Sequence, residues 1–190
     1  MTDRIIKQLM KLQIINSEEE EIYRFGLEAL FLKGVHYISY LVIAVLCCEV
    51  PKFILFFMAF LLIRKNAGGY HSKTKQGCYF VSCGTVLSVL LLLKYIDLQG
   101  VVLGVTILLL LSADSIILWL APLENKNREL DDAEKRYFRR RCIFILGIEN
   151  ILILLLGLLH KSDYIMPIIL AVVCSAFLLI LAKGDQGRLA

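Results

Sequence analysis

Long apolar segments constrain the fold of this 190-residue chain more than any other feature. They can be read at residues 35–48, 53–63, 79–96, 98–122, 142–159 and 164–182. The last four approach the roughly 20 apolar residues that a helix needs to cross the hydrocarbon layer of a bilayer. Hydrophobic residues make up 58% of the chain, against about 45–50% in soluble domains. The sequence therefore predicts an all-α polytopic membrane protein with about six transmembrane or re-entrant helices.

The first two apolar segments are shorter than the others and are separated by the polar break "EVPK" at residues 49–52. Two interpretations remain open for this hairpin: two short spans extended by flanking residues, or one re-entrant hairpin. In either case the chain returns to its starting side after residue 63. The polar segment that follows is therefore expected on the same side of the membrane as the N-terminus.

The distribution of Lys and Arg predicts which side that is, because cytoplasmic loops carry an excess of positive charge. Of the 21 Lys and Arg residues, all but Lys52, Lys94 and Lys161 fall in the N-terminal region, in the loops at 64–77 and 123–141, or in the C-terminal tail. We therefore expect a multi-pass protein with both termini and these two loops in the cytoplasm.

The N-terminal region lacks the apolar core and cleavage site of a secretory signal peptide, so we expect it to stay attached. Residues 4–15 form a basic amphipathic pattern, which fits a helix in the lipid headgroup plane or one packed on the cytoplasmic face of the protein. Ser17 and Glu20 match a capping box that would start a second helix, ending near Lys33. We accordingly divide the chain into an amphipathic helical region at 1–34, a membrane domain at 35–183 and a short cytoplasmic tail at 184–190.

The charged loop at 123–141 ends in the cluster Arg139–Arg141, which fits an anchor of membrane topology and is also compatible with docking of an acidic partner. Two carboxylates, Asp114 and Glu149, fall inside apolar segments, where an ionisable group is costly and is a functional candidate. We expect a hydrogen-bonding role for them, through polar neighbours such as Ser112 and Ser115, slightly ahead of a catalytic one.

The six cysteines form no C-x-x-C pair and no Cys/His set with metal-ligand spacing, so no metal site is expected. Cys47, Cys48, Cys83 and Cys174 lie in apolar segments, where cysteine acts as a small hydrophobic residue. Cys78 is different, because it lies in the polar break "RKNAGGYHSKTKQGCYF" at residues 64–80.

His71 and Cys78 share this break on the reducing cytoplasmic side, where a single cysteine remains a thiol. In one continuous helix they would lie about 10 Å apart along the axis, too far for proton transfer. Gly68, Gly69 and the polar run to Gly77 allow His71 to lie on a loop, with the next helix beginning near Cys78. There the helix dipole and the nearby cations favour the thiolate, and the imidazole would complete a nucleophile and base pair.

The motif R..AGGYH......C, from Arg64 to Cys78, resembles the signature of the accessory gene regulator B (AgrB) family. Its members are bacterial membrane cysteine endopeptidases that mature a quorum-sensing propeptide. The resemblance covers most of the chain: the amphipathic N-terminal region, the six-segment layout, and "LAPLENKNREL" at residues 120–130, which is similar to the family's Ala-Pro motif and the lysine-rich loop after it. Interspersed acidic residues make this loop less basic than the most basic versions of the family.

The resemblance implies a mechanism for these positions. The Cys78 thiolate attacks the peptide bond at the C-terminal end of the future signal, with His71 acting first as base and then as acid. The charged tail of the precursor leaves, and a thioester remains on the enzyme. A Cys or Ser side chain of the bound peptide then attacks the thioester and closes a thiolactone or lactone, provided that water is excluded.

Two alternatives are open for the group that stabilises the tetrahedral oxyanion: backbone amides at Gly68 and Gly69, or the side chain of Arg64. Lys126 and Arg128 are candidates for docking the substrate. The resemblance further implies an AgrD-like propeptide as substrate, a location in the bacterial cell membrane in contact with the lipid bilayer, and a homodimer. No cofactor, metal or nucleic-acid partner is expected. The competing hypotheses are a non-catalytic small peptide transporter or export partner, and a purely structural membrane scaffold.

Overall fold

The structure is a computed structural model that describes residues 2–16, 18–69, 74–95, 101–124 and 130–187. Regular secondary structure in these ranges is entirely helical. The helices are α1 Thr2–Lys11, α2 Glu20–Cys47, α3 Val50–Ala67, α4 Lys75–Tyr95, α5 Val101–Leu120, α6 Asp132–Leu158, a short 3-10 helix Ser162–Tyr164, and α7 Ile165–Gly187. Among the described residues, α2, α4, α5, α6 and α7 are long and apolar enough to cross a membrane. The prediction of an all-α polytopic membrane protein is confirmed.

Helix α2 corrects the predicted division of residues 17–48 into two helices, since it runs without a break from Glu20 to Cys47. Ser17 lies outside the described residues, so the predicted capping box does too. Gly34, at the expected junction, is tolerated within the helix and has open space around its Cα. A continuous helix also keeps each backbone amide and carbonyl paired, which a chain entering a bilayer requires.

Helix α6 corrects the expectation that residues 123–141 form a loop, because it begins at Asp132. Asp131 is its N-cap: its carboxylate accepts a hydrogen bond of 2.6 Å from the Glu134 backbone amide. The Glu134 carboxylate in turn accepts one of 3.4 Å from the Asp131 amide, which completes a capping box. The cluster Arg139–Arg141 therefore lies on the first turns of a long helix and not in a loop.

Helix α3 contains the shorter of the two early apolar segments and is a full 18 residues long. It is not among the five helices that meet the length and hydropathy criteria for a membrane span. Pro51 lies in its first turn, where the missing amide hydrogen would have had no helical partner. Its buried residues include Phe56 and Ile63, both 1% exposed. Helix α3 is therefore part of the packed interior and not a peripheral segment.

The chain forms two compact units, residues 1–43 and 44–190. In the first unit, the Arg24 guanidinium on α2 forms ion pairs with Asp3 on α1 at 2.6 Å and with Glu20 at 2.7 Å. Ile6 of α1 is buried, while Leu12 just beyond the helix is 68% exposed. The N-terminal amphipathic helix is thus present, over residues 2–11 and not over the whole of 4–15.

The second unit has α7 at its centre, because α7 packs extensively against both α3 and α5. Its apolar stretch is 56% buried, against 11–22% for the other four candidate spans. Small buried residues such as Ala113, Ala171 and Ala176 let the helix backbones approach each other closely. Helix α6 closes the core against α3 and α7, and α4 packs on α3 and α7 at the side. The ends of α3, α4, α5 and α6 carry the candidate functional residues.

Candidate functional site

Cys78 lies in the first turn of α4, where the sequence predicted a helix to begin. The hydroxyl of Thr74 accepts a hydrogen bond of 3.0 Å from the Gly77 amide, which caps the helix. The Cys78 amide donates to the Thr74 carbonyl at 3.0 Å and so closes that turn. The side chain is partly exposed, so the thiol is at the positive end of the helix dipole and within reach of a ligand.

The end of α3 is formed by Gly68 and Gly69, here called the diglycine turn. Both have positive φ angles, 79° and 135°, which L side chains rarely adopt. A Cβ on Gly68 would lie 2.6 Å from the carbonyl oxygen of Leu123, and a Cβ on Gly69 would collide with the guanidinium of Arg64. Backbone conformation and close approach therefore both require glycine at these two positions.

Arg64 connects the diglycine turn to the thiol. Its Nη1 donates a hydrogen bond of 3.0 Å to the Gly68 carbonyl, four residues on. Burial lowers the pKa of the Arg64 guanidinium, and an electrostatic interaction with Cys78 opposes that shift. Because the ordinary pKa of an arginine side chain lies far above neutral pH, the guanidinium remains charged.

The segment after α5 is tied to the diglycine turn through the backbone. The Leu123 amide donates a hydrogen bond of 2.9 Å to the carbonyl of Ala67, the last residue of α3. The peptide bond between Ala121 and Pro122 is cis. We call residues 121–123 the Ala-Pro strap, since they contain the dipeptide that the sequence resemblance singled out. The strap explains why Gly68 has no room for a side chain.

Three of the predicted site residues cannot be placed relative to Cys78. His71, Lys126 and Arg128 lie outside the described residues, and their roles stay predictions. The structure does bring Arg64 to the diglycine turn and into electrostatic contact with Cys78. The cytoplasmic orientation of this region also stays a prediction.

A cavity of about 380 Å³ opens beside the Ala-Pro strap, between the end of α5 and the start of α6. It is lined by apolar residues of α5 and the strap and by charged residues of α6: Trp119, Leu120, Ala121, Pro122, Asp132, Lys135, Arg136 and Arg139. Glu124 forms an ion pair of 2.7 Å with Lys135, which lowers the pKa of that carboxyl. Arg139 belongs to the cluster that the sequence analysis described as compatible with docking, whereas Lys135 and Arg136 were not singled out. The spacing of residues 135, 136 and 139 places all three cations on one helical face.

The two carboxylates inside apolar helices do not find the partners expected from the sequence. Ser112 and Ser115 donate instead to carbonyls of their own helix, at 2.8 Å each. Asp114 accepts a hydrogen bond of 3.0 Å from the amide of Asn150 on α6. Glu149, next to that asparagine, is buried and has no hydrogen-bond partner among the described residues. A nonlocal contact between α5 and α6 thus replaces the local one that we expected.

All six cysteines are free thiols, and Cys142 is buried in the core. Within the described ranges, no group of three or more His, Cys, Asp or Glu side chains is arranged to hold a metal ion. Among the described residues, the predicted site residues with reactive or charged side chains are Cys78 and Arg64.

Comparison with known proteins identifies the family but adds no close relative. A search of curated proteins finds no match, and a search of solved structures finds none either. The family model for accessory gene regulator B matches residues 1–179, nearly the whole chain. This match includes the diglycine turn, Cys78 and the Ala-Pro strap. The chain therefore belongs to the accessory gene regulator B (AgrB) family, which takes part in quorum-sensing peptide processing.

Proposed function

We propose that this protein is a membrane cysteine endopeptidase that removes the C-terminal tail of an AgrD-like quorum-sensing propeptide and allows the remainder to cyclise. The observation that carries the proposal is the placement of Cys78 in the first turn of α4, where its side chain interacts electrostatically with the half-buried Arg64 guanidinium. The positive end of the α4 dipole and this cation both attract anionic groups, such as the oxyanion of an acyl-transfer intermediate. A cysteine sulfur in that position can serve as the nucleophile that acyl transfer requires.

In the first step, His71 takes the proton of the Cys78 thiol, and Cys78 Sγ bonds to the carbonyl carbon at the C-terminal end of the future signal. The peptide C–N bond then breaks, and the departing amine takes its proton from His71.

Arg64 is the better of the two candidates for stabilising the oxyanion. The Gly68 amide donates to the Arg64 carbonyl at 3.2 Å as the C-cap of α3, so its hydrogen is already used. The Arg64 guanidinium has five donor hydrogens in a rigid fork, and the hydrogen bond to Gly68 fixes its position. Such a preorganised charge is most effective where water is excluded.

In the second step, a Cys or Ser side chain inside the bound peptide gives its proton to His71 and attacks the thioester carbonyl. A new ester or thioester bond closes the ring, and the Cys78 sulfur leaves as a thiolate. The free energy of the original acyl bond is conserved in the enzyme thioester, provided that water does not attack first. Location at the mouth of an apolar helix bundle supports that exclusion.

The basic cavity beside the Ala-Pro strap is the proposed docking site for the precursor tail. Lys135, Arg136 and Arg139 line it, and the predicted docking residues Lys126 and Arg128 belong to the chain segment that connects the strap to α6. A charged tail held there would leave the scissile bond near the diglycine turn, since the strap is hydrogen-bonded to the end of α3. Docking and cleavage would then occur at opposite ends of one short segment.

The test is cleavage of a co-expressed precursor by matched cysteine variants. Cys78→Ser and Cys78→Ala are expected to abolish cleavage while the protein still inserts into membranes. Cys83→Ser is the control, because Cys83 is another partly buried thiol of the same helix, five residues on. Mass spectrometry of the wild-type protein with its precursor should locate a covalent acyl adduct on Cys78. Cleavage that survives Cys78→Ala would refute the proposal.

The competing function is peptide transport without covalent chemistry, in which residues 64–77 form a polar gate. It predicts that Cys78→Ala leaves transport intact and that no adduct forms. The electrostatic interaction between Arg64 and the Cys78 thiol favours the enzymatic function, because a polar gate does not require a cation next to a nucleophile.

A further inference from the structure

Glu149 is the most unusual buried side chain of the helix bundle. It is only 4% exposed in the middle of α6, and both of its carboxylate oxygens lack a hydrogen-bond partner among the described residues. The Oδ1 atom of Asp114 on α5 is buried and unpartnered in the same way. Buried polar groups in native proteins are nearly always hydrogen-bonded, so three such oxygens in one place need an explanation.

The two carboxylates belong to helices that are in contact, α5 and α6, and Asn150 forms a hydrogen bond between these helices next to Glu149. The Asn150 amide, next to Glu149, donates to Asp114 Oδ2 at 3.0 Å and to the Leu146 carbonyl at 2.9 Å. Asp114 and Glu149 are close enough to interact electrostatically. Asp114 follows the buried Ala113, and Glu149 lies one turn from the buried Leu146. Glu149 and the Oδ1 atom of Asp114 are therefore buried next to the apolar core of the second unit, while the rest of the Asp114 side chain is partly exposed.

The elements packed around the pair supply no compensating charge. The core segments of α3 and α7, residues 53–63 and 165–182, contain no charged side chain. Besides the pair itself, the titratable groups of these two segments, of α5 and of residues 142–158 of α6 are the thiols of Cys142 and Cys174. Neither thiol carries a positive charge, so neither offsets a carboxylate. Two ionised carboxylates here would repel each other in a medium of low dielectric constant, where removing each charge from water is unfavourable.

A bound proton removes this cost, because one carboxylic acid then donates to an oxygen of the other carboxylate. The pair then carries one negative charge instead of two, and one previously unpaired oxygen of each carboxyl group takes part in a hydrogen bond. A divalent metal ion is a poor alternative, since it requires about six oxygen ligands or more and no suitable three-residue group exists among the described residues. The chemistry of the pair thus selects a proton over a metal ion.

We propose that Asp114 and Glu149 form a single proton-binding site inside the helix bundle, in which the two carboxylates share one proton. The site goes beyond the proposed peptidase chemistry and does not include Cys78. Asp114 lies six residues before the end of α5, about 9 Å along the helix axis from the Ala-Pro strap. Proton uptake and release therefore occur in the two helices that flank the basic cavity.

Infrared spectroscopy of the full-length protein in lipid bilayers tests the proposal, because a protonated carboxyl has a C=O stretching band distinct from that of a carboxylate. The wild-type protein should show this band at neutral pH, with a shift in D2O. Glu149→Gln should weaken or move it, and the double variant Asp114→Asn with Glu149→Gln should remove it. The matched control is Asp163→Asn, at an exposed carboxylate of the 3-10 helix, which should leave the band unchanged. No protonated band in the wild type at neutral pH, or a full band in the double variant, overturns the proposal.

Sodium titration separates the proton from a monovalent metal ion. Sodium chloride is exchanged for choline chloride at constant ionic strength while the carboxyl band of the wild-type protein is recorded. A band independent of sodium supports proton occupancy. Loss of the band as sodium rises would show that sodium takes the same position, and this would overturn the assignment of the site to a proton.

Discussion

Replacing Gly68 with alanine tests whether the diglycine turn holds the site together. Gly68 has a φ angle of 79° and a ψ angle of −153°, a backbone conformation essentially restricted to glycine, and an L residue there costs about 2 kcal/mol. The new Cβ would lie 2.6 Å from the Leu123 carbonyl oxygen, closer than real Cβ atoms approach backbone oxygen. The Ala-Pro strap must then move away and lose its hydrogen bond to Ala67, worth about 1 kcal/mol. We expect Gly68→Ala to lower the free energy of unfolding by about 2–3 kcal/mol.

The measurement is urea unfolding of the purified protein in mixed micelles, together with precursor cleavage by the same samples. Gly84→Ala is the matched control, since Gly84 lies within α4 and a Cβ there meets nothing within 4 Å. Alanine in that helix interior should be neutral, or stabilising by up to about 1 kcal/mol. Cleavage should fall in Gly68→Ala, because the carbonyl that holds Arg64 moves with the turn. Equal stability of the Gly68→Ala and Gly84→Ala variants would refute the close-approach argument.

Two further predictions concern the charged groups of the site. Arg64→Gln should lower kcat by about 100-fold, because an oxyanion donor is lost. Arg64→Lys should retain part of the activity, because the positive charge remains. Equal cleavage rates for the wild type and Arg64→Gln in single-turnover assays would contradict this role. Arg136→Glu or Arg139→Glu should raise KM for the precursor about fivefold, equivalent to about 1 kcal/mol, and the effect should shrink at high salt. The control Arg140→Glu, at an exposed residue of α6 outside the cavity, should leave KM unchanged.

Helix content and the start of α4 were predictable because they depend on local sequence signals. Apolar segments long enough to span a bilayer can be recognised directly in the sequence. The polar run ending at Gly77 predicted a helix that starts near Cys78, and α4 begins at Lys75. The start of α6 also had a local signal, the capping box formed by Asp131 and Glu134. It was missed because charged residues throughout 123–141 were interpreted as a loop. Charge alone does not distinguish a solvated loop from the exposed first turns of a helix.

Other features could not be predicted, because they depend on contacts between residues far apart in sequence. The sequence suggested that Gly68 allows a backbone amide to approach the oxyanion. In the structure, the atom that excludes a side chain at Gly68 is the carbonyl oxygen of Leu123. Asp114 was expected to bond to serines of its own helix, whereas its partner Asn150 comes from α6. Residue spacing encodes neither relation, since both follow from the way in which α3, α5 and α6 pack together.

The hydrogen bond between Leu123 and Ala67 has a consequence for how related chains diverge. It joins main-chain atoms, which every amino acid except proline supplies at the donor position. The side chains at positions 67 and 123 can therefore be substituted independently in related proteins without weakening this hydrogen bond. Pairs of positions that vary together would not reveal it, and its evolutionary trace would be the exclusion of a second consecutive proline after Pro122.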